Sequence, residues 1–264
     1  MKYKTIVAAT LLLLTFGCTA TSKVTAPAAK EETGKTQVML LATLHNFHRT
    51  NPNYTYKDVY EIIRKYNPDI LGVEIRPEDI DQDTTYLKQM YPLEMRQITV
   101  LFPDEKVFGV DWYGEEAAGK LLPADAFKGG NQQLTRIKQL ERELNTDTTL
   151  TPQRKLIGVL AQQFATLAKT STPAELNNSG QYDLTADLFY KQMDTMLQGT
   201  PYEDYIKFNR QRDVEIGKNI AALIRQNPGR KLIFILGANH RFAAEKTIKE
   251  SFGDNAQLVP VPKL

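Results

Sequence analysis

Lys231-Leu232-Ile233-Phe234-Ile235-Leu236-Gly237-Ala238-Asn239-His240 decides the fold of this chain. A short, uninterrupted apolar run reads as a strand buried on both faces. Such strands belong to parallel sheets covered by helices. Small residues and a histidine follow at once, so the strand ends by presenting an imidazole. Upstream, Ile216, Ile220, Leu223 and Ile224 make one helical stripe, which Asn227-Pro228-Gly229 ends. One and two turns earlier the same face carries Arg212 with Asp213, then Asn209, polar residues in line with a core stripe. Downstream, a helix runs to about Ser251, and 257–261 reads as a last strand.

The N-terminal half repeats the pattern. Residues 37–44 read as a buried strand ending near His45 and His48. Asn51-Pro52-Asn53 is a loop. Val59, Ile62, Ile63 and Tyr66 fall on one helix face, and Asn67-Pro68 stops that helix. Strand 69–75 carries Glu74 at its end. A helix over much of 85–101 leads to strand 106–112, which ends in Asp111 and Trp112. Strand, helix, strand predicts parallel pairing. The sequence thus predicts an α/β fold, a mainly parallel sheet flanked by helices. Between 114 and 198 no strand pattern appears. Stretches 132–144, 152–169 and 184–196 read as helices, with loops at Gly129-Gly130 and 171–180. This segment is a helical insertion that either forms a lid or simply covers the sheet.

Composition bounds the chemistry. Net charge is +2, and charges of both signs are interspersed without a basic stripe. Nucleic-acid binding has no electrostatic support. Lys2 and Lys4 precede a short apolar stretch, Ile6 to Phe16, ending at Gly17-Cys18. Cys18 is the only cysteine, so an intrachain disulfide is excluded. A small residue before a lone cysteine resembles a bacterial lipoprotein signal, with Thr15 where leucine is usual. Residues 1–18 would then be the signal peptide and Cys18 the lipidated terminus. The chain would sit lipid-anchored in the bacterial cell envelope, at the periplasmic face or cell surface. The other reading is an ordinary secretory signal cleaved near Ala20. Residues 19–36 read as a flexible tether. Residues 37–264 are then enough for one domain with a substantial core.

All three histidines, His45, His48 and His240, sit just past strand patterns. The carboxyl ends of parallel strands form the ligand crevice of such a sheet. Four segments therefore deliver imidazoles and carboxylates to one rim. His45 and His48 ligate one metal if both turn inward; otherwise one faces solvent. Glu74 is costly to bury unless it meets a metal or pairs with Arg76, Arg212 or Arg241. Asp111 and Trp112 either contact substrate or, for Asp111, cap a helix starting near Gly114. His240 faces the crevice or, alternatively, solvent at a helix N-terminus. No serine elbow, P-loop or dinucleotide fingerprint appears. Activated-water chemistry remains, driven by a metal or by a His/Glu base.

Leu41-Ala42-Thr43-Leu44-His45 resembles the first Gly-x-x-His motif of the TraB-like superfamily, with Ala42 in place of the glycine. Leu71-Gly72-Val73-Glu74 resembles that superfamily's acidic strand end, and Gly237-Ala238-Asn239-His240 its second Gly-x-x-His motif. Arg212 falls where the family often has an arginine. The superfamily includes Tiki-type proteases, erythromycin esterases and ChaN-like haem-binding lipoproteins. The resemblance implies a pocket lined by His45, Glu74 and His240; read as a hydrolase, the chain would use Arg212 or Arg241 to stabilise negative charge, with Asp111, Trp112 and Arg76 near a small-molecule or peptide substrate. A metalloprotease-like version would hold Mn, Co or Zn through His45, His48, Glu74 and His240. A ChaN-like version would bind haem or another small ligand instead. The Ala42 departure leaves a third version, an inactive envelope scaffold.

Overall fold

The computed structural model describes residues 34–103 and 106–264, apart from the side chains of residues 152, 153 and 156. Cys18, the signal segment and most of the tether lie outside the described residues. Five strands, β1 (Thr36–Thr43), β2 (Ile70–Val73), β3 (Lys106–Gly109), β4 (Lys231–Gly237) and β5 (Ala256–Leu258), form one sheet in the order β3-β2-β4-β1-β5. Every pairing is parallel. The α/β reading holds, with β4 placed between β1 and β2.

Alternation is hidden in the sequence because both faces are buried. Met39, Leu41, Leu71, Ile233 and Ile235 face one core, with Val59, Ile62 and Ile63 of α1 (Tyr56–Tyr66) and Met95 and Ile98 of α3 (Leu93–Leu101). Val38, Leu40, Leu232, Phe234 and Leu236 face the other. There they meet Ile216, Ile220 and Ile224 of α8 (Glu203–Gln226) and Ile248 of α9 (Ala238–Phe252). Gly72 is the gap into which Phe234 packs: a Cβ there would lie 2.3 Å from the ring.

The helix expected over 85–101 is two helices, α2 (Thr84–Met90) and α3. Pro92 causes the break, because it lacks an N–H and holds Tyr91 extended. The insertion contains α4 (Gln132–Thr146), α5 (Thr151–Thr170), α6 (Pro173–Asn178) and α7 (Gln181–Leu197). The expected loop over 171–180 contains α6, whose start is a capping box. The Glu175 carboxylate accepts from the Thr172 N–H at 2.9 Å, and the Glu175 N–H donates back to the Thr172 hydroxyl at 3.3 Å.

Helix α6 also closes a sheet edge. Strand β5 pairs only with Thr36–Val38, so the outer edge of β1 is open beyond that point. The Ala42 N–H donates to the Asn177 side-chain oxygen at 2.7 Å, and the Tyr54 hydroxyl donates to the Ala42 carbonyl at 2.7 Å. The edge-facing N–H and carbonyl of Ala42 are thereby satisfied.

Candidate active site

Strand order places the exits of β2, β4 and β1 side by side, and with them Glu74, Gly237 and His45. The Glu74 N–H continues the ladder by donating to the Ile235 carbonyl at 3.1 Å. Its carboxylate accepts from the Gly237 N–H. Gly237 has no room for a side chain: a Cβ would lie 2.6 Å from His45 Nε2 and 3.1 Å from Glu74 Oε2. Glycine is needed here for close approach.

Each site imidazole is held by a buried carboxylate. His45 begins a short 3-10 helix, His45–Arg49, and adopts a positive φ of 49°, sparsely populated for a residue with a side chain. Its Nδ1 lies 2.6 Å from Glu94 Oε1, and Glu94 is fully buried in α3. His240, in the first turn of α9, places Nδ1 2.6 Å from Asp213 Oδ1 on α8. An ionised carboxylate only accepts, so Nδ1 is the donor in both dyads, and Nε2 carries the lone pair of the neutral ring. The His240 Nε2 is 3.6 Å from Glu74 Oε1, too long for a direct hydrogen bond. The two Nε2 atoms thus face one glutamate from adjacent strands.

The charges divide the labour. Burial pushes the Glu74 carboxyl up, but the fields of His240, Arg212 and His45, with the Gly237 N–H, outweigh it and hold the pKa at about 2. Glu74 therefore stays ionised and is a poor proton acceptor near neutrality. Burial lowers the His45 pKa, but the Glu94 hydrogen bond and the fields of Glu74 and Glu94 prevail and raise it above 6.5. The shift makes His45 a stronger base than a free imidazole. Arg212 donates from Nε to Asp111 Oδ1 and from one terminal nitrogen to Asp111 Oδ2 and Glu74 Oε1, all at 2.8 Å. It is the ion-pair partner that a buried Glu74 requires.

Five expected site residues have other contacts. The His48 Nε2 accepts from the Leu44 N–H at 2.9 Å, and its Nδ1 donates to the Tyr54 carbonyl at 2.8 Å. Both nitrogens are spent on the backbone, so His48 has no lone pair for a metal. Arg76 is buried and donates to the carbonyls of Ala117 at 2.6 Å and Lys120 at 2.8 Å, and to Asp79 at 3.3 Å. It ties down the 114–120 segment. Arg241 pairs with Asp183 of α7 and, at 3.1 Å, with Glu245. Its guanidinium fastens the insertion to α9. Asp111 accepts from Arg212 and, at 2.7 Å, from the Trp112 N–H, and among the described residues no helix starts near Gly114 for it to cap. Trp112 stacks on Phe208 with ring centres 5.5 Å apart, beside a separate cleft.

The donor set does not fit a divalent metal. Among the described residues no group of three or more His, Cys, Asp or Glu side chains is arranged to hold one. Glu74, the central candidate ligand, already bonds a guanidinium and a backbone N–H.

Above the two dyads lies a chamber of about 440 Å³. Its floor is Thr43, His45, Gly237 and His240, and α5 and α7 supply a roof that includes Phe164, Tyr182 and Phe189. The Tyr182 hydroxyl donates to the Asn239 side-chain oxygen at 2.8 Å, joining roof to rim.

Glu94 and Asp213 are the residues that sequence reasoning left without a role in the site. Their signal was weak but real: each is an acid on an otherwise buried helix face, Glu94 beside Met95 and Ile98, and Asp213 in line with Ile216 and Ile220. An acid in an apolar stripe needs a partner.

No family model and no curated protein matches the chain. Among solved structures, a mutant of erythromycin esterase in its open conformation is similar over 86% of this chain and 70% of that one, at 11% identity and a TM-score of 0.32.

Proposed function

We propose that this chain is a hydrolase in which His45 activates water against an ester, lactone or amide carbonyl. The observation that carries this reading is the pair of carboxylate-held imidazoles whose Nε2 atoms meet Glu74 beneath a roofed chamber. Water bound at His45 Nε2 gives up a proton as its oxygen attacks the carbonyl carbon. The carbonyl π electrons move to oxygen, and Glu94 stabilises the imidazolium. On collapse the carbon–heteroatom bond breaks, and the leaving atom takes from His45 the proton that His45 received from the water. The unpaired N–H groups in the first turn of α9 and the Asn239 amide border the same chamber and supply donors for the oxyanion. Arg212 acts through Glu74: it keeps that carboxylate ionised and in place.

Within the TraB-like superfamily, this reading is esterase-like. The metalloprotease-like version lacks a free donor set. The haem alternative has less support, because among the described residues no Lys or Arg lines the chamber to pair with propionates. We further propose an envelope lipoprotein anchored through Cys18. Mass spectrometry of the mature N-terminus, with fractionation of Cys18→Ser, tests this. For activity, the full chain in detergent is assayed against neutral esters, lactones and peptide amides, with and without chelator. His45→Ala should lower kcat/KM by about 10²–10⁴-fold, and His240→Ala should also lower it. Chelator should have no effect. Turnover that survives both substitutions in folded protein would contradict the reading. A Soret change on adding micromolar haem would favour the binding reading, and an unchanged envelope phenotype for both variants the scaffold one.

A further inference from the structure

We infer that the chamber is a binding site for an uncharged, apolar group of small-molecule size carried by the scissile carbonyl. This inference rests on the hydrolase reading. Its volume of about 440 Å³ lies within the range of small-molecule sites. Phe47, Phe164, Phe189 and Leu44 provide most of its apolar wall, and Ala161, Ala165 and Ala168 leave the space open on the α5 side. Among the described residues no Asp, Glu, Lys or Arg lines it; the polar groups are Thr43, Asn46, Tyr182, Asn239 and the two histidines. An anionic substrate group would lose its hydration there and find no counter-ion.

The charges behind the floor sharpen this selection. Glu94 and Asp213 stand directly behind the two imidazoles, and each has a second carboxylate oxygen that is buried without a partner. Glu74 lies beside Gly237, and its nearest cation, Arg212, is shared with Asp111. An anionic group in the chamber would meet this field at close range. The site thus selects twice, for apolar shape through α5 and α7 and against negative charge through the dyads.

The full chain is assayed with p-nitrophenyl esters of acetate, hexanoate, phenylacetate and succinate. Binding is measured separately by calorimetry, with 4-phenyl-2-butanone as the neutral probe and phenylacetate as its anionic counterpart. The expected results are a higher kcat/KM for phenylacetyl and hexanoyl than for acetyl, the lowest for succinyl, and binding of the ketone only. Ala165→Trp, with its melting temperature checked, fills the chamber and should lower the phenylacetyl-to-acetyl ratio by about tenfold or more. Phe189→Ala provides a second variant that opens the roof, and it should lower the same ratio. His45-dependent turnover with succinyl preferred, or with a ratio that neither variant moves, overturns the chamber inference and leaves the hydrolase reading intact. Ketone binding that Ala165→Trp abolishes, without hydrolysis of any ester, supports the chamber and overturns the hydrolase reading.

Discussion

The two halves of the rim use the same residue types for opposite ends. Over β2 and β3, charges neutralise one another: Arg212 with Asp111 and Glu74, and Arg76 with Asp79. Every strong donor there already has an acceptor. Over β1 and β4, each carboxylate holds the Nδ1 of an imidazole, with the Thr43 hydroxyl also donating to Glu94 at 3.3 Å, and leaves Nε2 free. The difference lies in what faces the acid. A guanidinium has several donors and saturates two carboxylates, whereas an imidazole has two nitrogens and gives one to the frame. The first half is scaffold and the second can exchange protons, with Glu74 as the hinge between them.

The largest effect on folding should come from breaking the scaffold half. Arg212→Met leaves Asp111 and Glu74 buried without their cation. Denaturant titration should show a loss of about 3–5 kcal/mol, as expected when one partner of a buried ion pair is removed. A loss below about 1 kcal/mol, the value of an exposed pair, would dissolve the distinction between the halves.

A second effect separates the halves by pH. The Glu74 pKa is about 2 in the folded state, below its ordinary 4.5. Its contribution is therefore fully present above 4.5 and is lost as pH falls towards 2. At 1.36 kcal/mol per unit this amounts to roughly 3 kcal/mol. Stability curves for wild type and Glu74→Gln should converge as pH drops through that window. Parallel curves would show that the carboxylate is not stabilised by its neighbours.

The smallest effect concerns the histidine that serves the backbone. His48→Gln should cost about 1–3 kcal/mol of stability, because the Leu44 N–H or the Tyr54 carbonyl is left unsatisfied. Turnover per folded molecule should stay close to wild type. A loss as large as that of His45→Ala would return His48 to the site.

Much of this frame is legible in the sequence, because buried parallel strands are short continuous apolar runs and their ends set the rim. That logic places His45, Glu74 and His240 together without any knowledge of side-chain contacts. It stops at partners brought in from distant segments. Glu94 reaches His45 across 49 residues, and the Ala117 and Lys120 carbonyls reach Arg76 from over 40 residues away. No local period encodes such pairs. Helix α6 is a different case: Thr172-Pro173-Ala174-Glu175 carries both a capping box and a proline at the first helical position, a local signal outweighed by the surrounding polar residues.

The central claim is that His45, held and tuned by Glu94, is the base. The pH dependence of kcat/KM for wild type and Glu94→Gln on one neutral ester tests it most directly. Such profiles report groups of the free enzyme. In wild type the rate should fall on the acid side with a midpoint above 6.5, where His45 takes up its proton. Glu94→Gln removes the negative charge that favours the imidazolium, so the midpoint should move to lower pH while the plateau rate falls. An acid limb that stays in place, or a profile flat across this range, would contradict the account.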